Sequence, residues 1–186
     1  MPYVPARLGA VLTPLPGYHM RVVDDDGNDA RRGEVGRLLV KGPGTLRAYH
    51  GDDVATRAIL TDDGWVRTGD LARRGRLGTI HFAGRDKDVI KHGGYSVYAM
   101  ELERALEEHP AVAEAAAVGI TDERKGEVPA AVVRLKPGAA ATEDDLLAFG
   151  RQRLADYKAP QRIAIVDDLP RTGTEKVKKQ ELKELF

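Results

Sequence analysis

Hydrophobic and polar positions alternate differently in the two halves of the chain. In the first half, short apolar runs are separated by turns rich in glycine, aspartate and asparagine, a pattern typical of short β-strands. These runs lie at Met20 to Val23, Val35 to Val40, Trp65-Val66 and Thr79 to Ala83. Their spacing predicts a small antiparallel barrel or sandwich.

The second half alternates between helical and strand patterns. Apolar residues recur at helical spacing from Tyr98 to Glu108, and Thr142 opens a capping-box-like segment that predicts a helix to about Tyr157. Further elements are predicted as strands at Val112 to Ile120, Val128 to Leu135 and Arg162 to Val166, and as a closing helix at Lys178 to Phe186. The predicted fold class is therefore a β-rich, barrel-like subdomain followed by a small α/β domain.

Composition narrows the set of partners. The 29 basic residues balance the 29 acidic ones, so the net charge of zero argues against nucleic acid or an anionic membrane surface as a partner. No apolar run reaches the roughly 18 residues of a membrane span. There is no cysteine, which excludes disulfides and thiolate metal sites and fits a cytoplasmic protein.

Three segments carry most of the candidate chemistry. They are Gly64-Trp65-Val66-Arg67-Thr68-Gly69-Asp70-Leu71, Gly84-Arg85-Asp86-Lys87-Asp88-Val89-Ile90-Lys91-His92-Gly93-Gly94-Tyr95 and Leu169-Pro170-Arg171-Thr172-Gly173-Thr174-Glu175-Lys176-Val177. In order and residue type they resemble the adenylate-forming superfamily, which comprises acyl-CoA synthetases, peptide-synthetase adenylation domains and luciferases. Acyl-CoA synthetases are the most similar, because of Lys87 and the Gly93-Gly94 pair.

The resemblance implies a domain organisation. Residues 1–86 correspond to the last, β-barrel-like subdomain of the large adenylation domain, and residues 88–186 correspond to a mobile α/β lid. Lys87 takes the hinge position, where a swing of the lid would separate adenylate formation from acyl transfer to a thiol. On sequence alone, an ordinary loop between two domains remains the alternative.

The resemblance also assigns two residues to ATP. Asp70 would bind the ribose hydroxyls, since one carboxylate can accept hydrogen bonds from both. Arg85 would reach the same nucleotide. The alternatives are a turn aspartate that caps a loop, and a surface arginine that pairs with Asp86 or Asp88.

Gly93 and Gly94 match the position where the pantetheine arm of coenzyme A passes in the family. Glycine suits this role because a ligand can lie against a backbone that has no Cβ. A tight turn is an equally common use of a Gly-Gly pair, so both interpretations stay open.

Lys176 is the catalytic candidate. In the family, a lysine in this loop reaches the carboxylate substrate and the α-phosphate of ATP, where an ammonium stabilises a transition state rich in negative charge. Glu175 departs from the family pattern, which commonly has glycine there. The alternative for Lys176 is a solvated lysine in a basic run with Lys178 and Lys179.

Two family features are not found in this sequence. These are the Ser/Thr/Gly-rich phosphate loop and the aromatic–Gly–x–Thr–Glu stretch, which lie upstream in full-length members. We therefore expect the chain to need the large adenylation domain as a partner, and to bind ATP weakly and form no acyl-adenylate alone, because few polar contacts would oppose the entropy cost of association. Magnesium would enter with ATP, and no metal site is predicted from this chain's own residues.

Three functions remain open at this stage. The first is the C-terminal part of a ligase that activates a carboxylic acid with ATP and passes it to coenzyme A. The second is a peptide-synthetase lid that serves a carrier protein. The third is a non-catalytic binding module derived from a ligase.

Overall fold

A computed structural model describes residues 11–75 and 78–186 of the chain. Residues 1–10 and 76–77, which belong to the first predicted domain, lie outside the described residues. The contacts divide the chain into two compact units, of which the first ends at Lys87 and the second begins at Asp88. No helix in the described part has the length and hydrophobicity that a membrane crossing requires.

The first unit is built on one antiparallel sheet of five strands. In chain order these are β1 (Val11–Leu12), β2 (His19–Val23), β3 (Val35–Lys41), β4 (Val66–Arg74) and β5 (Ile80–Arg85). Their order across the sheet is β1-β5-β4-β3-β2, which leaves β1 and β2 at the edges of a curled half-barrel. The prediction of a β-rich, barrel-like first part is confirmed at this level.

A small apolar cluster holds the first sheet together. It contains Val22, Ala30, Leu38, Ala72 and Ile80, all of them buried. The sequence analysis did not predict the short α-helix of this unit, α1 (Asp53–Ile59). That helix has no buried residue, so its sequence lacks the apolar periodicity by which a helix is recognised.

The second unit packs helices and strands around a central strand. Its strands are β6 (Val89–His92), β7 (Tyr95–Tyr98), β8 (Val112–Asp122), β9 (Gly126–Leu135) and β10 (Arg162–Val166), and its helices are α2 (Ala99–Glu107), α3 (Glu143–Arg153) and α4 (Lys179–Leu182). Strand β9 pairs antiparallel with β8 and parallel with β10. The β6–β7 hairpin joins the end of β9 through His92, which lies opposite Gly126.

Both faces of the β8–β9 pair are buried, which explains the nearly continuous apolar runs in its sequence. One face packs in a cluster with α2 and α3 residues, formed by Ala99, Leu102, Leu106, Val112, Ala115, Ala117, Ala131, Val133, Leu146 and Ile163. The other face packs with residues of the C-terminal segment, in a cluster of Ala116, Val118, Ile120, Val128, Ala130, Val132, Leu169 and Leu182. The predicted α/β character of this half is confirmed.

Two helix boundaries differ from the predictions. Helix α3 ends at Arg153 rather than near Tyr157, because Leu154 adopts an extended conformation (φ −118°, ψ 152°) and packs against the apolar cluster beneath α2 and α3. The closing helix is also shorter than predicted. Helix α4 ends at Leu182, and a 3-10 turn over Lys183–Leu185 follows it.

Candidate functional site

Asp70 and Arg85 are brought together by strand pairing in the first unit. Asp70 lies in β4 directly opposite Arg85 at the end of β5. The Arg85 Nε atom is 3.3 Å from Asp70 Oδ1, and the two side chains remain 49% and 27% exposed. Asp70 is thus a strand residue rather than a turn cap, and Arg85 pairs with Asp70 rather than with Asp86 or Asp88, while the nucleotide-binding role of both residues stays a prediction.

The backbone beside Asp70 is fixed by Thr68. The Thr68 hydroxyl donates to the carbonyl of Leu38 (2.9 Å) and accepts from the Asp70 backbone N–H (3.1 Å). Gly69 between them has a φ of +74°, which favours glycine. The Thr68-Gly69-Asp70 segment is thus a strand kink that sets the position of the carboxylate.

Lys87 lies in a short 3-10 turn, Asp86–Asp88, and its side chain is exposed. The residues on either side are tied to different units. Asp86 Oδ2 is 3.5 Å from Arg37 Nε in the first unit, and Asp88 Oδ2 is 3.7 Å from Lys179 Nζ in the second. The division between the units therefore falls directly after the predicted hinge residue, although the hinge motion itself stays a prediction.

Gly93 and Gly94 form the two-residue turn of the β6–β7 hairpin. Their φ values of +55° and +85° fit a turn that L-residues rarely adopt. Apart from the adjacent residues, a Cβ added at either position would meet no described atom within 4 Å. The tight-turn interpretation is confirmed, and the open space beside both residues leaves the coenzyme A interpretation as a prediction.

His92 holds this hairpin against β9 and was not assigned a role from the sequence. It is 6% exposed, and its Nδ1 lies 2.6 Å from the carbonyl oxygen of Glu127, so Nδ1 carries the proton and donates. Its Nε2 is 3.3 Å from the amide nitrogen of Gln161, which makes Nε2 the acceptor. Both ring nitrogens are therefore used, and His92 is a structural residue of the turn.

Lys176 lies near the tip of a hairpin-like loop in the second unit. The loop is closed by an antiparallel bridge between Arg171 and Val177 and by a hydrogen bond from the Thr172 N–H to the Lys176 carbonyl (2.8 Å). The Thr172 hydroxyl in turn accepts from the Lys176 N–H (3.2 Å). The backbone of Lys176 is thus fixed while its side chain is exposed.

The neighbouring lysines differ from Lys176. Lys178 Nζ is 2.8 Å from Glu181, and Lys179 Nζ is 2.7 Å from Glu103. No ion pair is found for Lys176 within the described part of the chain. The basic run is therefore not uniform, and the exposed Lys176 fits both a ligand contact and a solvated lysine, so its catalytic role stays a prediction.

Glu175 has a backbone conformation that favours glycine, the residue expected at this position from the family resemblance. Its φ of +61° lies in the left-handed region, and among the described residues no other non-glycine residue has a positive φ. An L-residue with a Cβ is strained there by about 1–2 kcal/mol. The sequence departure noted at this position therefore has a conformational cost.

Arg171 and Glu114 were missed as site residues by the sequence analysis. Arg171 Nη2 is 2.5 Å from Glu114 Oε2, and its Nη1 donates to the carbonyl of Glu175 (3.1 Å). Hydrogen bonding to Glu114, and then the charge of that carboxylate, raise the pKa of Arg171. The feature of the sequence that could have indicated this pair is Glu114, a charged residue inside the apolar run of β8.

The chain is similar to known proteins over most of its length. Residues 101–176, from α2 to Lys176, match the AMP-binding enzyme C-terminal domain family. The chain is 39% identical to an indoleacetate–CoA ligase of Aromatoleum aromaticum over 179 residues, which are 96% of this chain and 35% of that enzyme. It is 40% identical to a 2-succinylbenzoate–CoA ligase of Geobacillus kaustophilus over 184 residues, 99% of this chain and 37% of that enzyme.

A solved structure matches the whole chain. ATP-bound MatB from Rhodopseudomonas palustris superimposes with a TM-score of 0.89 at 36% identity, covering 100% of this chain and 37% of that protein. This chain thus spans about a third of the length of the relatives it matches. It belongs to the adenylate-forming enzymes, as a C-terminal portion homologous to those of CoA ligases.

Proposed function

We propose that this chain is the C-terminal part of an AMP-forming acid–thiol ligase that activates a carboxylic acid with ATP and transfers the acyl group to coenzyme A. In the first step the carboxylate attacks the α-phosphate of ATP and displaces pyrophosphate, which gives an acyl-adenylate. In the second step the thiol of coenzyme A attacks the acyl carbon and releases AMP. The observation that carries the proposal is Lys176, exposed and without an ion pair among residues 11–75 and 78–186, on a loop whose backbone is fixed by Thr172.

The geometry of Lys176 suits the first step. Carboxylate and α-phosphate are both anions, and an ammonium between them stabilises the negative charge that accumulates in the transition state. A lysine already paired with a carboxylate would have to break that pair first, as Lys178 and Lys179 would. Lys176 has no such cost in the described structure.

Asp70 and Arg85 suit recognition of the ribose. A partly exposed ion pair is worth only about 0–1 kcal/mol, so a ligand can replace part of it at little cost. The Asp70 carboxylate would then accept hydrogen bonds from the two ribose hydroxyls. The Arg85 guanidinium would remain beside the nucleotide. Before the ligand binds, the pairing of β4 with β5 keeps the backbones of the two residues opposite each other.

In this proposal the second unit is a mobile lid, with Lys87 as its hinge and the Gly93-Gly94 turn on the coenzyme A path. No group of three or more His, Asp or Glu side chains suited to a metal occurs among residues 11–75 and 78–186. We assign Mg²⁺ to the ATP phosphates, as expected from the sequence. The upstream large domain is the proposed partner that supplies the phosphate loop and the acyl pocket.

ATP–pyrophosphate exchange with a panel of carboxylic acids tests the proposal. The chain, its upstream domain and the two combined are compared, and only the combination is expected to exchange. Lys176→Ala should lower exchange by about 100- to 1,000-fold, the usual effect of removing one transition-state charge contact. Lys178→Ala, which removes a neighbouring lysine paired with Glu181, is the matched control and should exchange normally.

The acceptor is tested separately. Acyl-adenylate is supplied to the combined protein together with coenzyme A or with a phosphopantetheinylated carrier protein. Thioester formation with coenzyme A supports the proposal, and formation only with the carrier protein would favour a peptide-synthetase lid. If the combination fails to exchange with any acid, or Lys176→Ala exchanges normally, the proposed catalytic function is wrong.

A further inference from the structure

The loop that bears Lys176 is tied to the sheet by one guanidinium group. Arg171 Nη2 contacts Glu114 Oε2 at 2.5 Å, and Arg171 Nη1 donates to the Glu175 carbonyl at 3.1 Å. The Glu175 carbonyl belongs to the peptide group that leads into Lys176. A single planar side chain therefore connects strand β8 with the backbone from which the lysine projects.

The carboxylate at the other end of this connection is itself fixed. Glu114 lies opposite Arg134 in the β8–β9 pair, and Arg134 Nη2 also contacts Glu114 Oε2, at 3.3 Å. Arg134 Nε is 3.8 Å from Asp168, close to the start of the loop. Glu114 is only 24% exposed, so it is a firm anchor rather than a freely moving surface carboxylate.

The loop needs such an anchor because its own residues do not favour this conformation. Glu175 holds a left-handed backbone that costs an L-residue about 1–2 kcal/mol. Gly173 between the two threonines adds backbone freedom. The hydrogen bond from Arg171 is made to the strained residue itself, so it opposes the relaxation that would turn the Glu175–Lys176 peptide.

We propose that Arg171, held by Glu114, is a positioning residue that sets the direction in which Lys176 leaves the loop. This inference rests on the proposed function of Lys176 and adds a residue to it. Arg171 does not need to touch either substrate. Its guanidinium fork is essential because the two acceptors, one on β8 and one in the loop, must be bonded at the same time.

A double-mutant cycle in the chain combined with its upstream domain tests the inference. Arg171→Met should lower ATP–pyrophosphate exchange by about 10- to 100-fold, the effect of moving a catalytic group by roughly 1 Å. In the Lys176→Ala background the same substitution should cause no further loss, because the group that it misplaces is already gone. Arg171→Lys keeps the charge but not the fork, and it should also lower exchange.

The second half-reaction separates positioning from folding. Thioester formation from supplied acyl-adenylate is a step in which the proposal gives Lys176 no role, so Arg171→Met should leave its rate unchanged. Arg162→Met is the matched control, since Arg162 donates to the Phe186 carbonyl at 3.0 Å in the same unit but outside the lysine loop. It should leave exchange at the native level.

The outcomes are distinct. If Arg171→Met and Arg171→Lys exchange at the native rate while Lys176→Ala does not, this inference is wrong and the proposed function stands. The inference would also be overturned if Arg171→Met lowered exchange by the same factor with and without Lys176, or if it slowed adenylate formation and thioester formation equally. Either result would show a general structural role for Arg171. If Lys176→Ala itself has no effect, the proposed function fails first, and this inference fails with it.

Discussion

Asp70 and Arg85 occupy paired positions on neighbouring strands, and the Nε of Arg85 lies 3.3 Å from Oδ1 of Asp70. They come from two separate motifs of the sequence, and the register of β4 and β5 is what joins them. An Asp70 carboxylate held by one partly exposed guanidinium keeps most of its lone pairs available. The arrangement therefore suits a ligand that brings hydroxyl donors.

Replacing Asp70 with asparagine tests this site. A hydrogen bond to a charged group is worth about 1.5–3 kcal/mol, so Asp70→Asn should raise the KM for ATP by about 10- to 100-fold in the exchange assay. Asp63→Asn is the control, because Asp63 also accepts a hydrogen bond, from the Thr61 hydroxyl at 2.6 Å, but has no assigned ligand. Equal KM values for the two variants would remove Asp70 from the nucleotide site.

The Gly93-Gly94 turn allows the two interpretations of the sequence to be separated. Asparagine tolerates a left-handed backbone, and apart from the adjacent residues no described atom lies within 4 Å of a Cβ at Gly94, so Gly94→Asn should keep the fold. If the pantetheine arm passes here, thioester formation should fall by about tenfold or more, which corresponds to roughly 1.4 kcal/mol, while exchange stays unchanged.

Gly138→Asn is the control for that prediction. Gly138 also has a positive φ, +74°, and an added Cβ there also meets nothing within 4 Å. Thioester formation is measured for both variants with supplied acyl-adenylate and varied coenzyme A. The same rates for Gly94→Asn and Gly138→Asn would leave the turn with a purely structural role.

Strain at Glu175 predicts that a glycine there stabilises the second unit. Relief of the left-handed conformation should raise the free energy of unfolding by about 1–2 kcal/mol. The greater freedom of glycine in the unfolded chain should lower it by about 0.4–1 kcal/mol. Glu175→Gly should therefore be roughly 0.5–1 kcal/mol more stable than Glu175→Ala, which loses the same carboxylate but keeps the strain. Urea-dependent hydrogen exchange of β8 and β9 amides measures the difference, and a less stable glycine variant would contradict it.

The capping box of α3 predicts a pH-dependent contribution to stability. Hydrogen bonds from the Thr142 hydroxyl, and then from its backbone N–H, lower the pKa of Asp145 from its ordinary value of 3.8. The native state thus binds this proton more weakly than the unfolded state does. The stabilisation is fully present above pH 3.8 and is lost as the pH falls from there through the lowered pKa.

Asp145→Asn measures that contribution. The difference in the free energy of unfolding between the native chain and the variant should be constant from pH 7 to about pH 5 and should shrink below about pH 4. Asp144→Asn, in the same helical turn but outside the capping box, is the control. A difference for Asp145→Asn that does not change with pH would contradict the capping-box origin.

Elements with a strong periodic pattern were predictable from the sequence. The buried runs at β8 and β9, the amphipathic α2 and the start of α3 at Thr142 all carry local signals that the structure keeps. The β6–β7 hairpin was missed, although Gly93-Gly94 between Val89–His92 and Tyr95–Tyr98 is a hairpin signal. Its strands are only four residues each, which is too short for a clear alternating pattern.

The site residues divide in the same way. Lys176, Asp70 and Arg85 could be proposed from the sequence because they stand in motifs, whereas Arg171 and Glu114 are 57 residues apart and meet only through tertiary structure. The positive φ of Glu175 could not be read from its side chain, since glutamate gives no conformational signal of that kind. Long-range contacts and backbone strain are thus the two properties that required the structure.

Lys179 connects two parts of the second unit that are far apart in sequence. Its ammonium is 3.7 Å from Asp88, the residue after the proposed hinge, and 2.7 Å from Glu103 on α2, while its own helix follows the lysine loop. A rotation of the backbone at Lys87 would therefore be transmitted to that loop through ionic contacts near the pivot. The second unit would then rotate as a rigid body about Lys87. The orientation of Lys176 after the rotation would depend on the contacts of Lys179 with Asp88 and Glu103.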